Sequence, residues 1–144
     1  MPSLSKVCFF FEQKGFALKN RTSLKAFIES IFRKEKKKLG SVNFIFCSDK
    51  RLLDINREFL QHDFYTDVIT FDLSTSKKET EAEVYLSVDR IKENAKLAGV
   101  TFTEEIHRVI FHGALHLCGY KDKKSTEIDL MRQAENKYLN LYFR

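Results

Sequence analysis

Two histidines, His112 and His116, stand in the stretch Phe111-His112-Gly113-Ala114-Leu115-His116-Leu117-Cys118-Gly119-Tyr120-Lys121-Asp122. On an α-helix, at about 100° per residue, they share one face. Gly119 falls where such a helix would stop, because glycine accepts the left-handed backbone that reverses a chain. The reversal would carry Asp122 up beside the two imidazoles. Two ring nitrogens and a carboxylate are suitable ligands for one open catalytic Zn²⁺ site, with water in the fourth position. Other divalent cations accept the same donors.

The helix that presents these histidines reads from residue 103 to 117. Ile106, Val109, Ile110, Phe111, Ala114, Leu115 and Leu117 make it apolar over most of its circumference, the mark of a buried helix. Its polar residues form one stripe. Relative to His112, His116 and Arg108 lie about 40° to either side and Glu105 about 20° away. Arg108 is the candidate catalytic cation, placed to balance charge developing on a reacting group. Glu105 is the candidate base or ligand partner, and it is also placed to pair with Arg108 on the next turn. Lys121, Lys123 and Lys124 flank Asp122 as candidate contacts for an anionic partner or as a solvated turn. Cys118 points about 200° from His116 and reads as core.

The remaining elements must hold that helix in place. Residues 7–11 read as a strand, with Phe16-Ala17-Leu18 extending it or pairing with it across Gly15. Thr22 or Ser23 caps a helix whose apolar face is Leu24, Phe27, Ile28, Ile31 and Phe32. That helix is expected to end at Gly40, after the basic run Arg33-Lys34-Glu35-Lys36-Lys37-Lys38. The run suits a solvated helix C-terminus or contact with RNA. Residues 42–47 form a second strand, and Ser48 caps a helix carrying Leu52, Leu53, Asn56, Phe59 and Leu60. The β-branched residues of 68–71 predict a strand. It pairs as a hairpin with 83–87 across a Ser/Thr/Lys-rich segment. Ser87 or Asp89 caps a helix that Gly99 stops. Thr103 caps the histidine helix, and Ser125 or Thr126 the last one. Early strands, late helices and one hairpin predict an α+β fold: a mixed four-stranded sheet with about five helices, the histidine helix central.

A chain of 144 residues has the length of one domain with its own core, expected to span residues 1–144. Hydrophobic residues at 43% and charged residues at 31% give a globular composition. No apolar run approaches the roughly 18 residues of a membrane span, and residues 1–6 lack a signal-peptide pattern. Cys8, Cys47 and Cys118 are odd in number and far apart, which suits a reducing cytosol rather than a disulfide scaffold. A net charge of +5 and a pI near 9.1 point to a polyanionic partner such as nucleic acid.

The spacing His112-x₃-His116-x₅-Asp122 resembles the metzincin zinc-protease frame. That frame needs Glu directly after the first His as general base, and Gly113 stands there. The stretch more fully resembles the H-G-x-L-H-L-x-G-Y-D-H signature of the YbeY family, bacterial endoribonucleases of rRNA maturation. Asn56-Arg57-Glu58-Phe59 with Asp63, and Thr66-Asp67-Val68-Ile69-Thr70-Phe71, resemble its N-R-E-(Y/F) and T-D-V-L-S-F segments. Met131 and Glu135 resemble its C-terminal helix. The likeness spans about residues 42–140 and rests on those two motif blocks in order. It implies a cytoplasmic, metal-dependent, single-strand-specific RNA hydrolase acting on the 3′ end of small-subunit rRNA. The implied partners are rRNA and small ribosomal subunit proteins. The chain departs from the family at single positions and over one three-residue segment. Asp122 replaces its third ligand His, Leu60 replaces an Arg held to act in catalysis, and Ala82-Glu83-Val84 replaces the usual Gly-Asp-Ile. An RNA-binding assembly factor with a structural metal is the alternative.

Overall fold

In the computed structural model, which describes residues 5–62 and 65–144, the described residues form four strands and five helices. They run β1 (Val7–Phe11), α1 (Arg21–Lys34), β2 (Leu39–Cys47), α2 (Asp49–Phe59), β3 (Val68–Asp72), β4 (Thr80–Ser87), α3 (Val88–Ala98), α4 (Phe102–Leu117) and α5 (Ser125–Tyr142). The sheet order is β1-β2-β4-β3. β2 runs parallel to both β1 and β4, and only the β3–β4 hairpin is antiparallel. This is the mixed α+β sheet that the sequence predicts.

Strand alternation divides the interior in two. Ala82, Val84 and Leu86 of β4 face the main core, with Leu24, Ile28 and Phe32 of α1 and Ile106, Ile110 and Phe111 of α4. Tyr85 faces the other way, toward Ile69, Leu52 and Ile55 under α2. β2 is buried on both faces at Phe44, Ile45, Phe46 and Cys47, as a strand covered on both sides must be. α4 approaches the sheet closely at Gly113, where a Cβ would stand 2.9 Å from Val84 Cγ1.

Several local expectations are corrected. Residues 12–20 form no strand. Phe16 packs on Phe11, Phe46 and Phe102, and β1 takes its ladder from β2 instead of from a hairpin across Gly15. α1 begins behind Asn20, which is left-handed at φ 55° and makes no side-chain cap bond, so Thr22 and Ser23 lie inside the helix. It ends at Lys34, before Gly40. Lys36 takes φ 61° and Lys37 N–H donates to Phe32 O at 2.8 Å, which turns the chain early; Gly40 belongs to β2. The cap of α4 is Thr101, whose hydroxyl accepts from Glu104 N–H at 3.0 Å, and not Thr103. α5 starts behind Lys124, so Ser125 and Thr126 are already helical. Ser48 and Ser87 do cap α2 and α3, accepting from Arg51 and Arg90 N–H at 3.1 and 3.0 Å, and Gly99 ends α3 at φ 70°. Asp63 lies outside the described residues. No helix among those described is long and apolar enough to cross a membrane.

Candidate metal centre

α4 turns Glu105, Arg108 and His112 toward α5 on the stripe read from the sequence. Its end is built as expected. Gly119 takes φ 108°, Tyr120 N–H donates back to Leu115 O at 3.1 Å, and the reversed chain brings Asp122 to His112. Both ring nitrogens of His112 face a carboxylate. Nδ1 lies 2.6 Å from Glu135 Oε2 on α5, and Nε2 lies 3.2 Å from Asp122 Oδ2. The His116 ring is parallel to that of His112, with centroids 6.4 Å apart and 3° between the planes. His116 is exposed.

These donors fit a divalent cation. A metal-ligating imidazole characteristically gives its other ring N–H to a carboxylate, which fixes the tautomer and the ring. Glu135 occupies Nδ1 in that way and leaves Nε2 for Asp122. Two ligands about 2.1 Å from one tetrahedral ion stand about 3.4 Å apart; the observed 3.2 Å matches that spacing. His116 is not drawn in with this pair. Among the described residues, no three His, Cys, Asp or Glu side chains converge on one point.

The electrostatics carry the same demand for a cation. A cavity of about 220 Å³ is lined by Asp67, Glu105, Arg108, His112, Asp122 and Glu135, with Arg132 at its side. Burial alone would lower the His112 pKa, but the Glu135 hydrogen bond and charge, then Asp122 and Asp67, hold it above its ordinary 6.5. Burial pushes the Asp67 carboxyl up, against the pull of His112. It does the same for Glu105, against Arg108. Without a metal, these carboxylates favour the protonated form of the imidazole.

Arg108 lines this cavity, but its guanidinium is anchored on α5. Nη1 donates to Asn136 Oδ1 at 2.8 Å and to Glu135 Oε1 at 3.2 Å. The pairing with Glu105 is longer, at 3.9 Å, and Glu104 stands at the same distance. Lys121, Lys123 and Lys124 are exposed around Asp122. The N–H groups of Lys123 and Lys124 donate to Glu127 at 3.2 and 2.9 Å, which fixes the entry to α5. Cys118 is buried as expected, its thiol pushed up to about 12 chiefly by burial.

Glu135 is the residue that sequence reasoning underused. It is 4% exposed and orients His112 while also holding Arg108. The signal was a charged residue inside the buried stripe Met131-Glu135-Tyr138, since carboxylates are almost never buried without a partner. A second carboxylate, Glu35, ties the site's turn to the rest of the molecule. It accepts from Tyr120 OH at 3.1 Å and from Tyr138 OH at 2.6 Å.

Comparison with known proteins gives a concordant set. The family model described as Endoribonuclease YbeY matches residues 10–142. An Endoribonuclease YbeY of Cytophaga hutchinsonii is 45% identical over 135 residues, covering 94% of this chain and 94% of that relative. One from Bacteroides thetaiotaomicron is 48% identical over 103 residues, covering 72% and 74%. A Thermotoga maritima protein with a known solution structure aligns at a TM-score of 0.63 and 29% identity, over 94% of this chain and 89% of the other.

Proposed function

The chain belongs to the endoribonuclease YbeY family, and on that premise we propose how its side chains serve metal-dependent cleavage of RNA in 16S rRNA 3′-end maturation. His112, His116 and Asp122 hold one divalent cation, Zn²⁺ in the first instance. The observation that carries this assignment is His112 set between two carboxylates, one orienting the ring and one at ligand spacing. His116, exposed on the same helix face, adds the third donor by turning its side chain. When bound, the ion polarises a phosphoryl oxygen and acidifies a water. Glu135 keeps Nε2 of His112 aimed outward. Arg108 presents positive charge to the phosphate. Glu105, its carboxyl raised by burial, is the proton-handling group of the cavity. Lys121, Lys123 and Lys124 form the basic rim that meets RNA.

The substrate is single-stranded RNA at the small-subunit 3′ end, and the partners are rRNA and small ribosomal subunit proteins in the cytoplasm. One domain spanning residues 1–144 does the work. A peptidase reading is disfavoured by packing. Gly113 faces Val84 of the sheet, so a Glu there would collide with the core instead of reaching a water.

The test is metal content by mass spectrometry in His112→Ala and His116→Ala, alongside RNA cleavage with and without chelator. Both variants should lose the ion and the cleavage while keeping the wild-type far-UV circular dichroism. Undiminished metal in either variant sinks the site. Metal-independent RNA binding without cleavage in the wild type would favour the assembly factor.

A further inference from the structure

A wide groove of about 850 Å³ opens beside the C-terminal end of α4. One wall is the turn after α1, with Lys36, Lys37 and Lys38. The other is the β3–β4 hairpin, with Lys77 and Lys78. Leu117 lines it too, and the residue before Leu117 is the exposed candidate ligand His116. The two lysine clusters are about forty residues apart in sequence, so no single charge run accounts for their convergence.

Each wall is shaped to aim its cations outward. The left-handed Lys36 turns the chain, and the Lys37 N–H bond to Phe32 O locks the turn. In the hairpin, Ser74 N–H and its hydroxyl donate to Asp72 at 3.0 and 2.5 Å. That occupies the one carboxylate lining the groove and holds it below its ordinary value. Lys38 stands 3.8 Å from Glu79. All five lysines are exposed, and their charge is more than Asp72 and Glu79 can cancel.

We propose that this groove carries the phosphate backbone of a single-stranded RNA and leads it to the His116 end of the metal centre. The inference rests on the RNA-cleaving function proposed above and adds the substrate's path. A groove of this size exceeds a single phosphate, and cations on two walls suit a repeating polyanion. Lysine fits the task as a mobile point charge that grips phosphate without reading bases.

The experiment separates path from activity. Binding of a labelled single-stranded RNA is followed by fluorescence anisotropy at a series of salt concentrations, with chelator present to prevent cleavage. Three double variants lose equal charge: K36Q/K37Q, K77Q/K78Q, and K92Q/K96Q, whose lysines line a different cavity with Phe102 and Tyr142. Single-stranded contacts contribute about 0.7 each to the log–log salt slope, so each groove pair should reduce the slope by about 1.4 and weaken binding. The K92Q/K96Q slope should match wild type. This pattern supports the groove even if the wild type proves unable to cleave, an outcome that would sink only the activity. Equal slopes in all four proteins, or equal losses in all three variants, overturn the groove even if the wild type cleaves RNA.

Discussion

Glu135 decides what His112 can do. Its carboxylate sits 2.6 Å from Nδ1 and is itself buried, so it fixes the ring and would strengthen the nitrogen left for the proposed metal. Glu135→Gln keeps the shape and removes the charge. Zinc affinity should fall about 10–100-fold. The pH response should move with it. A proton on His112 competes with the metal, and His112 holds that proton above its ordinary 6.5. Wild-type affinity should therefore weaken as pH falls through a value above 6.5, and in Glu135→Gln the midpoint should move down. Zinc titration against a competing chelator at several pH values reads both effects, and unchanged affinity would remove Glu135 from the site. The shared face of the histidine pair was legible from helical spacing, and the approach of Asp122 from the turn at Gly119. Glu135 was not, because its contact depends on how α5 packs against α4.

At the scale of elements, the close meeting of α4 and β4 sets where the histidines stand. A Cβ on Gly113 would press to 2.9 Å on Val84 Cγ1, and overpacking of this kind costs about 1–3 kcal/mol. Gly113→Ala should destabilise the protein by that order in chemical denaturation. Val84→Ala in the same chain should recover much of the loss, since it removes the atom that is struck. Strictly additive effects of the two substitutions would show that the contact is not the cause. Helix and strand types were readable from their periods, while helix starts were less so. Ser48 stood alone before an apolar run, whereas Ser87 competes with Asp89 and Thr101 with Thr103, each pair two residues apart. At α5 the start is fixed by Glu127, which binds the Lys124 N–H, so no hydroxyl is needed. The early stop of α1 depends on a non-glycine residue, Lys36, taking a positive φ, which residue type does not announce.

For the whole molecule, two histidines pull acid stability in opposite directions. His107 is 4% exposed, bonded to Thr103 O at 2.6 Å and stacked on Tyr142. Burial lowers its pKa below 6.5. As pH falls from about 6.5 toward that lower value, the unfolded chain takes a proton that the folded chain refuses, and stability is lost. His112, with a raised value in the metal-free protein, does the reverse: its contribution is complete below about 6.5 and fades as pH rises through the raised pKa. Metal-free His107→Phe should therefore lose less stability than metal-free wild type between about pH 7 and about pH 5. Thermal unfolding at both pH values checks this, and parallel losses would clear His107. The fold class was open to sequence reasoning because two strands follow one another as a hairpin and the last three elements are helices. The strand order was not. Val7 meets Val42 and Phe44 meets Val84, parallel pairings that no local pattern specifies.

Order of synthesis gives the position of Glu135 a further meaning. The helix that bears it follows α4 in the chain, and the same helix supplies Tyr138 to the Glu35 clamp. A nascent chain that has already extended its two histidines still lacks the carboxylate that fixes the first of them. His112 therefore acquires its oriented nitrogen only after residue 135 has been made. A chain of this RNA-cleaving family thus keeps His112 without its orienting partner while the stretch from α4 to α5 is still being made on a machine built of RNA.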